Sequence, residues 1–466
     1  MKNTESAIEY RRQVAISAII FLHFSISIAL FVIFWLLFRY GGFVPKTMVG
    51  FRYNYFIILG YGAALFFFNK VYNSYLLGFG RVRDLVISEF MSQLFSVSGI
   101  YVLVSLGWNH WNNPLWFAAL LAAQGVVNIV WACLGNALYF KIFPPKKTLL
   151  VFRNELDKRR FGNVSGKPTG RIYRIESEIM YDGDFEGIRE KLEEFDAVFV
   201  AGLNSNCRNG ILKYCKENNK PMFFLPHVGD VIVQGSIHIQ SFDSPVLYVT
   251  RSAPKPEYRI AKRVFDIISS LTGIIVLSPL MLVTAIAIKL YDGGPAIYKQ
   301  TRLTRDGKEF RILKFRSMRV DAEKDGVARL SKGDRDERIT PIGRIVRKCR
   351  LDELPQLFNI LKGDMSVVGP RPERPEIAEQ YYSSVPDFRL RLQVKAGLTG
   401  YAQIYGKYNT DPYEKLEFDL LYINNMSVLT DIKLIFATIR VLFSSESTKG
   451  VEGVTAMDPP SESEES

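Results

Sequence analysis

Four long apolar runs divide the first 145 positions, from Val14 to Phe38, Tyr53 to Val71, Leu85 to Leu106 and Leu115 to Leu138. A helix needs about 20 apolar residues to cross the hydrocarbon core, so the pattern predicts a four-helix transmembrane domain. The first run lacks a small-residue cleavage site and more spans follow it directly, which excludes a cleavable signal. Lys2, Arg11 and Arg12 precede span one, Lys70, Arg81 and Arg83 separate spans two and three, and Lys141, Lys146 and Lys147 follow span four. The loop GWNHWNN carries no cation. The positive-inside rule therefore puts both ends in the cytoplasm, and Arg39, Lys46 and Arg52 in the first outer loop are outnumbered.

From Lys146 to Pro254 the pattern shortens. TLLVF, RIYRI, DAVFVAG, PMFFLP and VLYV read as short buried strands, with FEGIREKLEEF and RNGILKYCKENN at helical spacing between them. This predicts a Rossmann-like sheet. A dinucleotide-binding turn should be glycine-rich so that backbone amides reach a pyrophosphate. Here it reads VFRNELDKRRFG, and a scaffolding or regulatory domain is expected.

A fifth apolar run spans Val264 to Leu290. If it crossed the membrane, everything after it would lie outside. Yet residues 289–350 hold 18 Lys and Arg against 9 Asp and Glu, and Arg251, Lys255, Arg259, Lys262 and Arg263 sit on the other flank. Both flanks ask for the same face. Ser278-Pro279 stands mid-run, where proline removes a helix donor and the serine hydroxyl can take up a freed carbonyl. A re-entrant helix that breaks there and returns satisfies both flanks; a Pro-kinked fifth span or a buried soluble helix is the plainer alternative.

Composition narrows the chemistry. At 466 residues the chain exceeds one ordinary core, and its net charge of +12 suits anionic partners. Four cysteines form no CxxC pair and four histidines show no ligand spacing, which argues against structural zinc.

Residues 295–443 carry the densest motifs. In the stretch ending FRILKFRSMR, Lys314 and Arg316 are two apart on a likely strand and project to one face. TPIGRIVRKCR has amphipathic helical spacing, and Pro355 disfavours helix at Leu354 while suiting the first turn of a new one. Asp352 and Glu353 thus fall at a helix start, straight after Arg347, Lys348 and Arg350. Alone, such a pair is more often a cap than a nucleophile. Its company points further: cations hold a carboxylate ionised and suit phosphate, and a rigid Pro-Arg-Pro turn follows with Arg371. Past it, Leu429, Ile432, Ile435, Phe436, Ile439 and Leu442 recur at helical spacing, which serves a bilayer-surface helix or one packed on the core equally well.

KRVFDIISSLTGIIVLSPL, ILKFRSM, RLDELPQLFNILKGDMSVVGPRPE and KAGLTGYAQIYG closely resemble the monotopic polyprenyl-phosphate glycosyl-1-phosphate transferases, or bacterial sugar transferases, across about residues 258–443. The four spans and Rossmann-like insert look like the large, membrane-extended members that start capsule, exopolysaccharide or O-antigen synthesis. The resemblance implies a Mg2+-dependent enzyme that moves sugar-1-phosphate from a UDP-sugar to undecaprenyl phosphate and releases UMP. By motif position Asp352 would be the nucleophile forming a phosphoglycosyl-aspartate, and Glu353 its partner in Mg2+ or proton handling. Lys314, Arg316 and Arg371 would contact phosphates or nucleotide, with Asp419 a weaker candidate, and Ser278-Pro279 would break the re-entrant helix.

The expected fold class is a membrane protein of α plus α/β type. It comprises a four-helix transmembrane domain (1–145), a Rossmann-like soluble domain (146–254), a re-entrant membrane helix (255–290), a mixed α/β cytoplasmic catalytic domain (291–443) and a disordered acidic tail (444–466). The expected location is the bacterial inner membrane, with the catalytic domain on the cytoplasmic face. The expected partners are UDP-sugar, undecaprenyl phosphate and membrane lipid, together with a second copy as a homodimer and downstream glycosyltransferases of the same pathway. A polytopic transferase would need many more spans, a membrane scaffold leaves the motifs unexplained, and no nucleic-acid motif accompanies the basic charge.

Overall fold

The computed structural model describes residues 2–40, 51–78, 81–155, 157–158, 161, 172–181, 183, 185–239, 244–251, 254–320, 322, 336–406 and 411–442. The expected acidic tail and Lys46 lie outside the described residues. The chain forms two compact units, Met1–Leu225 and Pro226–Ser466.

The first unit begins with four long helices: α1 (Lys2–Tyr40), α2 (Phe51–Tyr72), α3 (Val82–Gly107) and α4 (Pro114–Ile142). All four contain stretches long and apolar enough to cross a membrane. Apolar residues on their outer faces, such as Leu37, Phe56 and Leu103, stay exposed, while Phe31, Trp35 and Tyr61 are fully buried between the helices. Phe31 and Tyr61 stack at 3.9 Å. The Asn113 side chain starts α4 by accepting from the Leu115 amide at 3.0 Å, with Pro114 placed where no amide is needed.

Next comes a four-stranded parallel sheet in the order β2-β1-β3-β4, formed by β1 (Lys146–Phe152), β2 (Tyr173–Met180), β3 (Ala197–Ala201) and β4 (Met222–Phe224). Helices α5 (Phe185–Leu192) and α6 (Ser205–Glu217) provide the later crossovers. Every residue of β3 is buried, the uniform apolar pattern of a parallel sheet covered on both faces. At the carboxyl end of β3 the carboxylate of Asp157, which comes from the segment after β1, fills the space beside Gly202. Leu77, Trp131 and Tyr139 pack with Phe152, Tyr173 and Phe199, so helical bundle and sheet share one core.

One expected strand of this sheet lies elsewhere. Residues 246–248 pair antiparallel with Ile237–Ile239 in a separate hairpin within the second unit, and all three are exposed. Without a buried face, VLYV has nothing to gain from the parallel sheet. The unit boundary accordingly falls near residue 225 and not near 254.

The second unit opens with α7 (Val228–Gln234), whose Val228 and Val231 are buried against Leu416 and Leu420, and the hairpin β5 (Ile237–Ile239) and β6 (Val246–Tyr248). Then α8 (Pro256–Asp292) runs without interruption for 37 residues, about 56 Å at 1.5 Å per residue. Pro279 lies inside it and lacks the amide that would serve the Ile275 carbonyl; the Ser278 hydroxyl donates to that carbonyl at 2.8 Å. The proline and serine chemistry expected at the break is present, but the helix does not break there and stays continuous through Ser278-Pro279.

Both ends of α8 are fastened to the same domain. Near its start Lys262 donates to the Val368 carbonyl at 3.0 Å, and Arg263 donates to the Ile360 and Leu361 carbonyls at 2.8 Å each. Asp266 accepts from the Ser366 hydroxyl and the Val367 amide, both at 2.9 Å. Further along, Ile274 and Leu277 pack on Leu357 and Ile360, while Ile288 packs on Phe315 and Val346. The opposite face, including Ile268, Ile275, Val276, Leu282 and Val283, is exposed.

The remaining elements are the antiparallel pair β7 (Ile297–Leu303) and β8 (Glu309–Phe315), α9 (Pro341–Lys348), α10 (Gln356–Lys362), the parallel pair β9 (Ser366–Val368) and β10 (Gly397–Thr399), α11 (Pro375–Ser384), α12 (Tyr401–Tyr405), α13 (Pro412–Asn424) and α14 (Val428–Leu442). Leu434 on α14 is buried with Leu416, Leu420 and Ile423, which makes α14 a core-packed helix.

Candidate active site

Local backbone geometry presents the acid pair. Helix α9 ends at Cys349, and Arg350 takes a left-handed conformation with φ 56° that starts a separate 3-10 turn, Leu351–Glu353. A non-glycine residue held there costs about 1–3 kcal/mol, and such strain clusters at functional sites. Leu354 keeps right-handed helical geometry despite the proline after it, so the turn leads on into α10. The acids stand before that helix and not in its first turn, because Leu354 and Pro355 separate them from it. The dipole of α10 therefore contributes little to holding them ionised.

Two clamps bring the rest of the site to this turn. The Asn359 side chain on α10 accepts from the Leu313 amide at 2.9 Å and donates to the Arg311 carbonyl at 2.8 Å, tying α10 to β8 and setting Lys314 beside the acids. The Pro370-Arg371-Pro372 segment is held at every residue. The Gly397 amide donates to the Pro370 carbonyl at 2.8 Å, Arg391 to the Arg371 carbonyl at 2.8 Å, and Arg302 to the Pro372 carbonyl at 3.1 Å. Here the glycines of the two motifs meet: a Cβ on Gly397 would run into the Gly369 backbone. With its main chain fixed, Arg371 reaches Glu353 at 3.1 Å.

The two acids are not equivalent. Glu353 is paired with Arg371 and lies 3.7 Å from Arg350. Burial would raise its carboxyl, but Arg371, Lys314 and Arg350 outweigh burial and hold it well below the usual range. Asp352 moves the other way. Burial and then the charge of Glu353 push it up, against Lys314, Arg347 and Arg350, and its Oδ1 is buried with no hydrogen-bond partner among the described residues. The cations therefore secure Glu353 first and leave Asp352 with an unspent oxygen, whereas the sequence suggested that they hold Asp352 ionised. Lys314 is itself pulled down to about 8, by burial and by Arg371.

Other expected members lie apart. Arg316 is buried and ion-paired with Asp292 at the end of α8. Asp419, 1% exposed, binds Arg391 at 2.7 Å and so acts on the site only through the Arg371 loop. Sequence reasoning missed Arg391, Arg302, Asn359 and Glu373, the last lying within 4 Å of Arg302, Arg391 and Lys415. One signal was available: a polar Asn in the apolar run LFNIL.

No three His, Cys, Asp or Glu side chains converge as metal ligands among the described residues. Mg2+ commonly makes do with one or two carboxylates plus substrate phosphates and waters, and the orphaned Asp352 oxygen suits that arrangement. Glu353, engaged by Arg371, is the second candidate ligand.

The model of the family described as "Bacterial sugar transferase" matches residues 257–445. The chain is 41% identical over 257 residues, 54% of its length, to a UDP-N-acetylgalactosamine-undecaprenyl-phosphate N-acetylgalactosaminephosphotransferase of Aeromonas hydrophila, covering 59% of that protein. Over 220 residues, 46% of its length, it is 42% identical to a UDP-glucose:undecaprenyl-phosphate glucose-1-phosphate transferase of Klebsiella pneumoniae, covering 45% of that protein. The chain thus spans about half the length of these relatives. A protein of the latter name from Caulobacter vibrioides is 37% identical over 199 residues, 42% of this chain, and 74% of its own length is covered. The residues matched by the family model lie within the unit that carries the acid pair, the Arg371 loop and the fastened apolar helix, and the chain belongs to the bacterial sugar transferase family.

Proposed function

We propose that this membrane protein transfers sugar-1-phosphate from a UDP-sugar to undecaprenyl phosphate, with release of UMP, through a phosphoglycosyl-aspartate on Asp352. The observation that carries this reading is the pairing of Glu353, clamped by Arg371, with the buried Oδ1 of Asp352, which has no partner among the described residues and feels the charge of Lys314. The Asp352 carboxylate attacks the sugar-bearing phosphorus. An aspartyl oxygen-phosphorus bond forms, the bond from that phosphorus to the bridging oxygen breaks, and UMP leaves with the electron pair. The phosphate oxygen of the lipid then attacks the same phosphorus and the aspartyl carboxylate departs, restored. Lys314 and Arg371 stabilise negative charge on the transferring and leaving phosphates. A bound Mg2+, held by Asp352 and Glu353 together with the diphosphate, would neutralise phosphate charge.

A lipid-borne acceptor requires a site at the membrane surface. The exposed apolar face of α8, with both ends fastened to the catalytic unit, supports a re-entrant helix whose flanks share the cytoplasmic face. The names of the relatives support the lipid acceptor and differ in the sugar. The reaction would be the first membrane-committed step of capsule, exopolysaccharide or O-antigen synthesis at the inner membrane.

The test is direct. Incubation with UDP-sugars without lipid should release one equivalent of UMP and add a sugar-phosphate mass to the Asp352 peptide, with ping-pong kinetics when lipid is supplied. Asp352→Asn should lose both. A ternary-complex rate law with normal turnover in that variant would return Asp352 to the role of a turn-capping residue.

A further inference from the structure

The four-span bundle contains a polar cluster that plays no part in the proposed transfer. Glu89 on α3 is fully buried, and His23 on α1 is 1% exposed. Asn128 on α4 and Gln93 on α3 pair reciprocally: the Asn128 amide donates to Gln93 Oε1 at 2.7 Å, and Gln93 Nε2 donates to Asn128 Oδ1 at 3.0 Å. That same Asn128 oxygen faces His23 Nε2 at 3.2 Å. An amide oxygen only accepts, so Nε2 bears the hydrogen and a neutral His23 presents Nδ1 as an acceptor.

Nδ1 lies 3.8 Å from Glu89 Oε1. Among the described residues, neither Nδ1 nor either oxygen of Glu89 has a hydrogen-bond partner. Three buried acceptors thus converge with no donor among them, inside helices whose outer faces are apolar. Such an arrangement is costly in a bilayer unless something positive lies between the acceptors. Among the described residues, Tyr61 of α2 and Tyr75 just beyond it also feel the Glu89 charge. The Tyr61 hydroxyl accepts from Gln124 Nε2 at 2.7 Å, and neither tyrosine hydroxyl hydrogen-bonds to a Glu89 oxygen. His23 is the salt-bridge partner of Glu89, and its own charge would require the missing proton.

We propose that Glu89 and His23 form a binding site for one small positive charge, a proton or an alkali cation, within the transmembrane bundle. With no third His, Cys, Asp or Glu to complete a metal set among the described residues, the ligand set suits a single charge and not a transition metal. Gln93 and Asn128 tie α3 to α4 and, through His23, to α1, so occupancy of the site bears on the packing of three of the four helices.

Trp131 provides a local probe, because its ring stacks on His23 with centroids 4.3 Å apart. The full chain in lipid nanodiscs is titrated in two arms: pH at minimal alkali cation, and NaCl against choline chloride at fixed pH and ionic strength. Trp131 emission is isolated by subtracting the spectrum of Trp131→Phe, which keeps a ring over His23. A saturable change in the pH arm alone identifies a proton, and one in the NaCl arm identifies an alkali cation. Either should be accompanied by a rise of about 2–4 °C in the melting temperature of the unit, and both should vanish in Glu89→Gln. Flat emission in both arms, or an unaltered response in Glu89→Gln, overturns the proposal. If Glu89→Gln fails to fold, Glu89→Asp replaces it, and a midpoint shifted less than tenfold overturns it.

Discussion

Asp419→Ala separates two roles for this acid, substrate contact or internal brace. In the structure Asp419 is 1% and Arg391 3% exposed, and the carboxylate receives both Nε and Nη2 of that arginine at 2.7 Å. Breaking a buried pair by deleting one partner costs about 3–5 kcal/mol, because the remaining charge stays buried. Here Glu373, 3.8 Å from Arg391, offers partial compensation, which places the cost near the lower figure, about 3 kcal/mol. At about 2–4 °C per kcal/mol for a unit of this size, the melting temperature should fall by about 6–12 °C. Solvent screening subtracts little from a pair this deep. The assay is thermal unfolding of the full chain in detergent, followed beside UMP release. Activity should fall as well, since Arg391 holds the Arg371 carbonyl, and Asp419→Asn, which keeps an acceptor, should recover part of both losses. An Asp419→Ala protein that melts with the wild type yet has lost turnover would refute this reasoning and make Asp419 a substrate contact.

Further outcomes test other parts of the structure. The pH profile of kcat/KM should be bell-shaped: activity falls on the acid side as Asp352 takes up a proton, and on the alkaline side as Lys314 loses its proton near 8; Lys314→Arg should remove the alkaline limb, and an unchanged limb would mean another group causes it. Cysteine labels near Arg259 and near Lys299 should both react from the cytoplasmic side, and periplasmic reaction at Lys299 would sink the re-entrant arrangement. A truncated chain starting at Pro226 should retain more transferase activity than one starting at Pro256, because only the longer one keeps Val228 and Val231 in the core of the catalytic unit; equal activities would show that α7 is dispensable. Gly397→Ala should abolish soluble, active protein through the backbone clash with Gly369, and normal turnover in it would show that the two strands can separate.

Much of this protein follows from sequence because its signals are local. Twenty apolar residues in a row can be read without knowing any neighbour, which is why the four long apolar helices and the Ser278-Pro279 chemistry were legible. The same holds for the strands of the parallel sheet, with VLYV as the failure: its apolar letters carry no mark of exposure. The acid pair and Arg371 stood out through motif density. Tertiary structure alone decided how charge is shared among them. Glu353 takes Arg371 and Asp352 keeps an unpartnered oxygen, an asymmetry that two adjacent letters cannot express because it depends on where residues 18 positions away arrive. Arg316 and Asp419 carry equally suggestive letters, yet packing pairs them with Asp292 and Arg391. A charged side chain's role is set by which opposite charge reaches it once water is excluded, and only the folded chain determines that.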